Sequence, residues 1–267
     1  MTEKEPVDMV KKAALEAAAS NAKSTSDQAL KHIQNACLVA GTGHTLAVLA
    51  SIYNFRAGDL SDFTVPRLMS FVSIHPHLWQ TNCLALMVAS LSLLWFMLSL
   101  YRANLRLGSI RPVFCLCLFF IGLTINLSCF TTLMGTFMDV SIQSLSDDSL
   151  TRSVMRMDAW RILNQSAGQI FLLGNGLYAL AGFGLTDLLT ETREISFWIR
   201  KSGYLVWSLL LLSCLMTFFS LLPQAIVTFF WTIVLFIVWT VLIYVNIDGL
   251  FQKRKQTGTT TGPAKEN

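Results

Sequence analysis

The sequence predicts an all-α, polytopic integral membrane bundle of six transmembrane helices joined by short interfacial helices. Three observations carry this. Only 13% of the residues are charged, against about 25% in soluble domains. Apolar runs close to the roughly 20 residues that cross a bilayer recur along the chain. Lys and Arg gather at alternate ends of those runs.

Residues 1–34 read as a polar N-terminal helical segment on the cytoplasmic side. Helix is expected from Pro6, with a second start at Thr25, where Gln28 completes a capping box. No apolar core of a secretory signal lies here, so the first apolar run is an uncleaved anchor. The spanning domain covers residues 35–250. Its spans are expected at Cys37–Tyr53, Leu78–Tyr101, Pro112–Met138, Ser166–Leu188, Tyr204–Leu222 and Ala225–Val245. The last two are separated only by Leu-Pro-Gln around Pro223, which reads as a tight hairpin because Pro disfavours helix before it and clashes within one. Residues 251–267 have little apolar content and are expected to be a disordered cytoplasmic tail.

Six spans place both ends on one side. Of the 20 Lys and Arg, fifteen fall on that side and five on the other. The asymmetry predicts cytoplasmic termini in a plasma or inner membrane. Three connecting pieces read as surface helices: residues 64–79, broken at Pro66 and Pro76; residues 146–163, with Asp147 or Asp148 as N-cap; and residues 193–201, where Phe197, Trp198 and Ile199 sit between basic residues as interfacial anchors.

The fourth span is unusual. Asn164 to Gly184 holds two Asn, two Gln and five Gly. On a helical projection, Arg161, Asn164, Gly168, Asn175, Ala179, Gly182 and Thr186 fall within an arc of roughly 60°, with Ile170, Leu173, Leu177 and Leu180 opposite. A loop has no reason to keep that period, and in lipid a spanning segment must close its own backbone hydrogen bonds. The third span offers a similar face in Thr124, Ser128, Thr131, Gly135 and Asp139. In the first span His44 shares a face with Cys37, Ala40, Ala47, Val48 and Ser51; in the second, Ala85, Ala89, Ser92 and Ser99 align below Asn82. The sixth span is almost wholly apolar and reads as an outer, lipid-facing helix. Spans one to four are thus expected to meet through small residues, with five and six outside.

Candidate pocket or interface positions are His44, Asn126, Ser128, Thr131, Asp139, Asn164, Gln165, Gln169 and Asn175. Asn175 is expected at mid-depth, bonded to His44, Ser128 or Thr131, since an unpaired amide in hydrocarbon costs several kcal/mol. Two readings of the stripes stand. They line a pocket or pathway for a small neutral or weakly polar solute, in a channel or carrier. Alternatively they serve only helix packing, in a structural, assembly or regulatory subunit. No charged residue lies at mid-span, which counts against a proton pump or voltage sensor. No nucleophile elbow, phosphate loop, zinc motif or paired carboxylates appear, so the chain is not expected to be an enzyme. No cofactor or metal is expected: retinal lacks a mid-span Lys, and the four His lie at unmatched depths. The six cysteines sit in or beside apolar segments and read as buried thiols, not a disulfide framework. The partners expected are the lipid bilayer and other membrane subunits or a second copy, with no nucleic acid.

Overall fold

The computed structural model describes residues 4–57, 65–103, 110–145, 150–192, 196–219 and 221–257. Among them are eight helices and no strand: α1 (Lys4–Ala57), α2 (Val65–Ile74), α3 (Pro76–Ala103), α4 (Arg111–Met134), α5 (Thr136–Leu145), α6 (Leu150–Thr192), α7 (Phe197–Phe218) and α8 (Leu222–Thr257). Proline places several boundaries. Pro6, Pro66, Pro76, Pro112 and Pro223 each fall within the first three positions of a helix, where the missing N–H would be unpaired anyway.

Six segments are long and apolar enough to cross a membrane: Leu30–Asn54, Pro76–Arg102, Arg111–Gln143, Val154–Leu189, Phe197–Phe218 and Gln224–Ile247. This is a multispan membrane protein of all-α class. The spans form a closed ring in chain order, each antiparallel to the next, with α8 packed back against α1. Side-chain pairs fix the register: Ser51 on Asn82 for α1–α3, Cys129 on the Ala167 carbonyl for α4–α6, and Ser213 on the Ala225 carbonyl across the α7–α8 hairpin. Outside, Leu49, Leu91, Phe114, Leu173, Trp231 and Val241 are exposed. An apolar wall this continuous is what a bilayer covers.

The densest core lies in the half of the ring nearest the start of α7 and the end of α8. Phe96, Phe119, Trp207 and Trp239 are almost wholly buried there. Trp207 and Trp239 meet edge to face at 5.7 Å, and Phe96 lies 5.6 Å from Trp239. A second core caps the opposite end. Phe137 and Trp160 meet at 5.0 Å beside Met69, and the Trp160 indole donates to Ser141 Oγ at 3.1 Å. Trp79 ties α3 to this cap by donating to the Leu133 carbonyl at 2.8 Å.

Several expectations are corrected. α1 runs unbroken through Thr25, so no second helix start exists there. The third span bends at Gly135 (φ −93°, ψ −75°) into α5, yet its N–H still reaches the Thr131 carbonyl at 3.0 Å. The pieces expected to lie separately on the surface are joined: α2 and α5 pack together, and residues 150–163 belong to α6 itself. At 43 residues, α6 is about 65 Å long, roughly twice the hydrocarbon thickness, so its first turns stand beyond the span. The helix α8 continues to Thr257 into the expected tail; residues 258–267 and the proposed N-caps Asp147 and Asp148 lie outside the described residues. Nor is α8 an outer helix. Thr232, Phe236, Trp239, Thr240, Ile243 and Ile247 form a buried stripe down its length, and Ile199, Gly203, Val206, Trp207, Leu210 and Cys214 do the same for α7.

Candidate functional site: a central cavity with two unpartnered polar atoms

The site begins with glycine. A Cβ on Gly122 of α4 would lie 2.7 Å from the Gly174 carbonyl, and one on Gly174 of α6 would overlap Asn126 Oδ1. Only hydrogen at both positions lets α4 and α6 approach this closely. The approach brings Asn126 and Asn175 together, and their bonding fixes both amides. Asn175 Nδ2 donates to the Phe171 carbonyl at 3.0 Å. A carbonyl only accepts, so Asn175 must turn its Oδ1 the other way, and Asn126 Nδ2 donates to it at 3.3 Å. Asn126 Oδ1 is thereby turned away from its neighbour. It is buried and has no hydrogen-bond partner within the protein.

One turn along α6 from Asn175, the Tyr178 ring stacks on Phe119 (centroids 4.7 Å apart, planes 17° apart). Its hydroxyl lies beside the side chains of Asn126 and Ser90 but makes no hydrogen bond of acceptable geometry and is also unpartnered. Such orphans are uncommon in folded proteins, because each forfeits the solvation of a polar group.

These groups line a cavity of about 70 Å³ at the centre of the ring, touched by all six spanning helices. Besides Asn126, Asn175, Tyr178 and Ser90, its polar wall includes His44 and Thr232. His44 Nδ1 meets the Ala40 carbonyl at 2.8 Å, which requires the proton on Nδ1 and leaves Nε2 as an acceptor in the uncharged ring. The same ring packs 4.6 Å from Phe236. Ser90 and Thr232 donate to their own helix, to the Leu86 and Thr228 carbonyls, so their lone pairs remain as acceptors. Trp207 forms part of the floor. Gly182 lies directly against its indole, and its Nε1 donates to Thr186 Oγ1 at 3.0 Å. No Lys, Arg, Asp or Glu lines the cavity.

Of the nine candidate positions, His44, Asn126 and Asn175 meet at this cavity. The other six do not. Ser128, Thr131 and Asp139 are exposed, as are Gln165 and Gln169, and Asn164 is half-buried away from the cavity. The expected polar face of the third span is therefore the outward one. Thr124 and Thr131 bond back to the carbonyls of Phe120 and Leu127, so lipid exposure leaves them satisfied. The partner of Asn175 is Asn126, not His44, Ser128 or Thr131. Ser90, Tyr178, Trp207 and Thr232 went unread as site residues. Tyr178 was in reach: it follows Asn175 by three positions and so shares its face.

A larger cleft of about 530 Å³ opens between α4 and α6 near Arg111 and Asp187. It is a surface feature of the bundle wall, and Asp187 is already bonded by the Tyr204 hydroxyl. Among the described residues no group of three or more His, Cys, Asp or Glu is placed to hold a metal. No protein-family model, curated protein or solved structure matches the chain.

Proposed function

We propose that this multispan protein is a non-enzymatic carrier or channel that admits a small neutral solute to the middle of its bundle. The observation that carries the reading is the central cavity, reached by all six spanning helices and lined by His44, Ser90, Asn126, Asn175, Tyr178 and Thr232. The absence of charged lining favours a neutral solute, since an ion stripped of water there would meet no compensating charge. The excess of Lys and Arg on the terminal side favours termini facing the cytoplasm of a plasma or inner membrane.

The rival reading is a structural or assembly subunit, in its own right or with a second copy. It draws on glycines used for packing, with Gly122 and Gly174 as close-packing positions and Gly182 as the seat of an indole. Purified protein in liposomes separates the two. Stopped-flow light scattering should show urea, acetamide or ethylene glycol crossing several-fold faster than in empty liposomes. Ser90→Leu, which pushes methyl groups into the cavity, should abolish the excess at unchanged yield. Equal fluxes with and without protein, together with a stoichiometric co-purifying partner, would decide for the subunit.

A further inference from the structure

We infer that the cleft between α4 and α6 seats one phosphatidylethanolamine molecule of the bilayer, its phosphate on Arg111 and its ammonium on Asp187. This site is separate from the central cavity and stands whether or not anything is transported. The cleft measures about 530 Å³, against about 150 Å³ for a cavity that takes benzene. It opens in the outer wall of the bundle, where Phe114 and Leu180 are exposed. In a spanning bundle such an opening faces acyl chains, not water.

Charge sits at one end of the cleft only. The two helices run antiparallel, and a Cβ on Gly184 would overlap Cys115 Sγ, which fixes their register. Arg111 is thus level with Asp187. Seven residues along each helix, about 10 Å, Leu118 is level with Leu180. The spanning segment of α4 begins at Arg111, so the charged pair lies at headgroup level and the apolar end reaches into hydrocarbon.

The presence of both signs selects the headgroup. A guanidinium pairs its N–H groups with phosphate oxygens. The first turn of α4 has no acidic residue and no capping side chain, and its dipole also favours a phosphate. Opposite, the Tyr204 hydroxyl donates to the Asp187 carboxylate. A carboxylate accepts up to about four bonds, so this one does not exhaust it for an ammonium. A zwitterion therefore covers both charges at once. Phosphatidylglycerol would satisfy Arg111 but set no cation against Asp187. A choline headgroup has no N–H to donate, and cages that hold it are aromatic; Phe114 is the one aromatic ring among the described lining residues.

The test uses the full chain in mild detergent and native mass spectrometry. Phosphatidylethanolamine, phosphatidylcholine and phosphatidylglycerol with identical acyl chains are offered at equal concentration. The parent should retain one phosphatidylethanolamine several-fold above either competitor. Asp187→Asn keeps an oxygen for Tyr204 but removes the charge, and should erase the preference over phosphatidylglycerol. Arg111→Gln should weaken phosphatidylethanolamine about tenfold, as for one lost charge-assisted hydrogen bond. Leu180→Trp fills the apolar end and leaves both charges. Added phosphatidylethanolamine should raise the melting temperature of the parent and leave that of Leu180→Trp unmoved; should Leu180→Trp not fold, the two charge variants decide alone. Equal retention of the three lipids, or a preference for phosphatidylglycerol or phosphatidylcholine, would overturn the headgroup. Retention unchanged in both charge variants would overturn the site.

Discussion

Asn175 and Thr131 show how differently two polar residues of one membrane bundle are used. Asn175 is buried, accepts from Asn126 and donates to its own helix. Thr131 is exposed and bonds only its own backbone. Asn175→Leu should therefore strand the Asn126 amide and crowd the α4–α6 contact, lowering stability by about 1–3 kcal/mol. Thr131→Val should stay within about 0.5 kcal/mol of the parent. Thermal denaturation in micelles measures both, and comparable losses would contradict the assigned faces. The sequence made Asn175 legible because an amide cannot satisfy itself and so points to a partner. It misled on Ser128 and Thr131 for the opposite reason. Hydroxyls close on the carbonyl four residues back and carry no information about which face is buried. Asn126 lies about 200° from Ser128 on the projection, on the side that Gly122 and Phe119 bury.

Along α6, two glycines of one stripe test the packing separately. At Gly182 a Cβ would drive into the Trp207 indole, whereas at Gly168 it would meet nothing within 4 Å. Gly182→Ala should destabilise by about 1–3 kcal/mol through overpacking. Gly168→Ala should be neutral or gain about 0.4–1 kcal/mol from reduced backbone freedom in the unfolded chain. Melting curves of the pair would expose an error in the register of α6 if the order were reversed. Sequence periodicity found the stripe but could not rank its members, because the Trp that Gly182 seats comes from another helix. The inward stripe of α8 was illegible for a related cause: Phe236 and Trp239 are as apolar as any lipid-facing residue. Inside hydrocarbon, apolarity no longer separates in from out.

For the whole molecule, segment length and proline placement made the six spans and their antiparallel order readable. What they did not convey was the closure of the ring, which depends on shape at the α1–α8 seam. There Gly41 leaves room for Thr240, and the His44 ring packs at a tilt against Phe236. The topology is testable directly. A reporter fused after Asn267 should read the cytoplasmic side and one inserted between α1 and α2 the other side; agreement between them would require an even number of crossings between the two sites, where six spans place five.

The seam also bears on how the protein is born. Chains emerge N-terminus first, at about 5–20 residues per second, so α1 is made long before α8. During that interval the face of α1 carrying His44 has α3 on one flank and nothing from α8 on the other. The His44 imidazole keeps the bond to the Ala40 carbonyl but lacks the ring of Phe236 packed against it. The nascent bundle is thus an open arc, a substrate for whatever guards unfinished membrane proteins, until α8 arrives and Phe236 covers the imidazole. Defects in α8 should accordingly show first as rapid turnover of full-length chain, ahead of any loss measured on the assembled bundle.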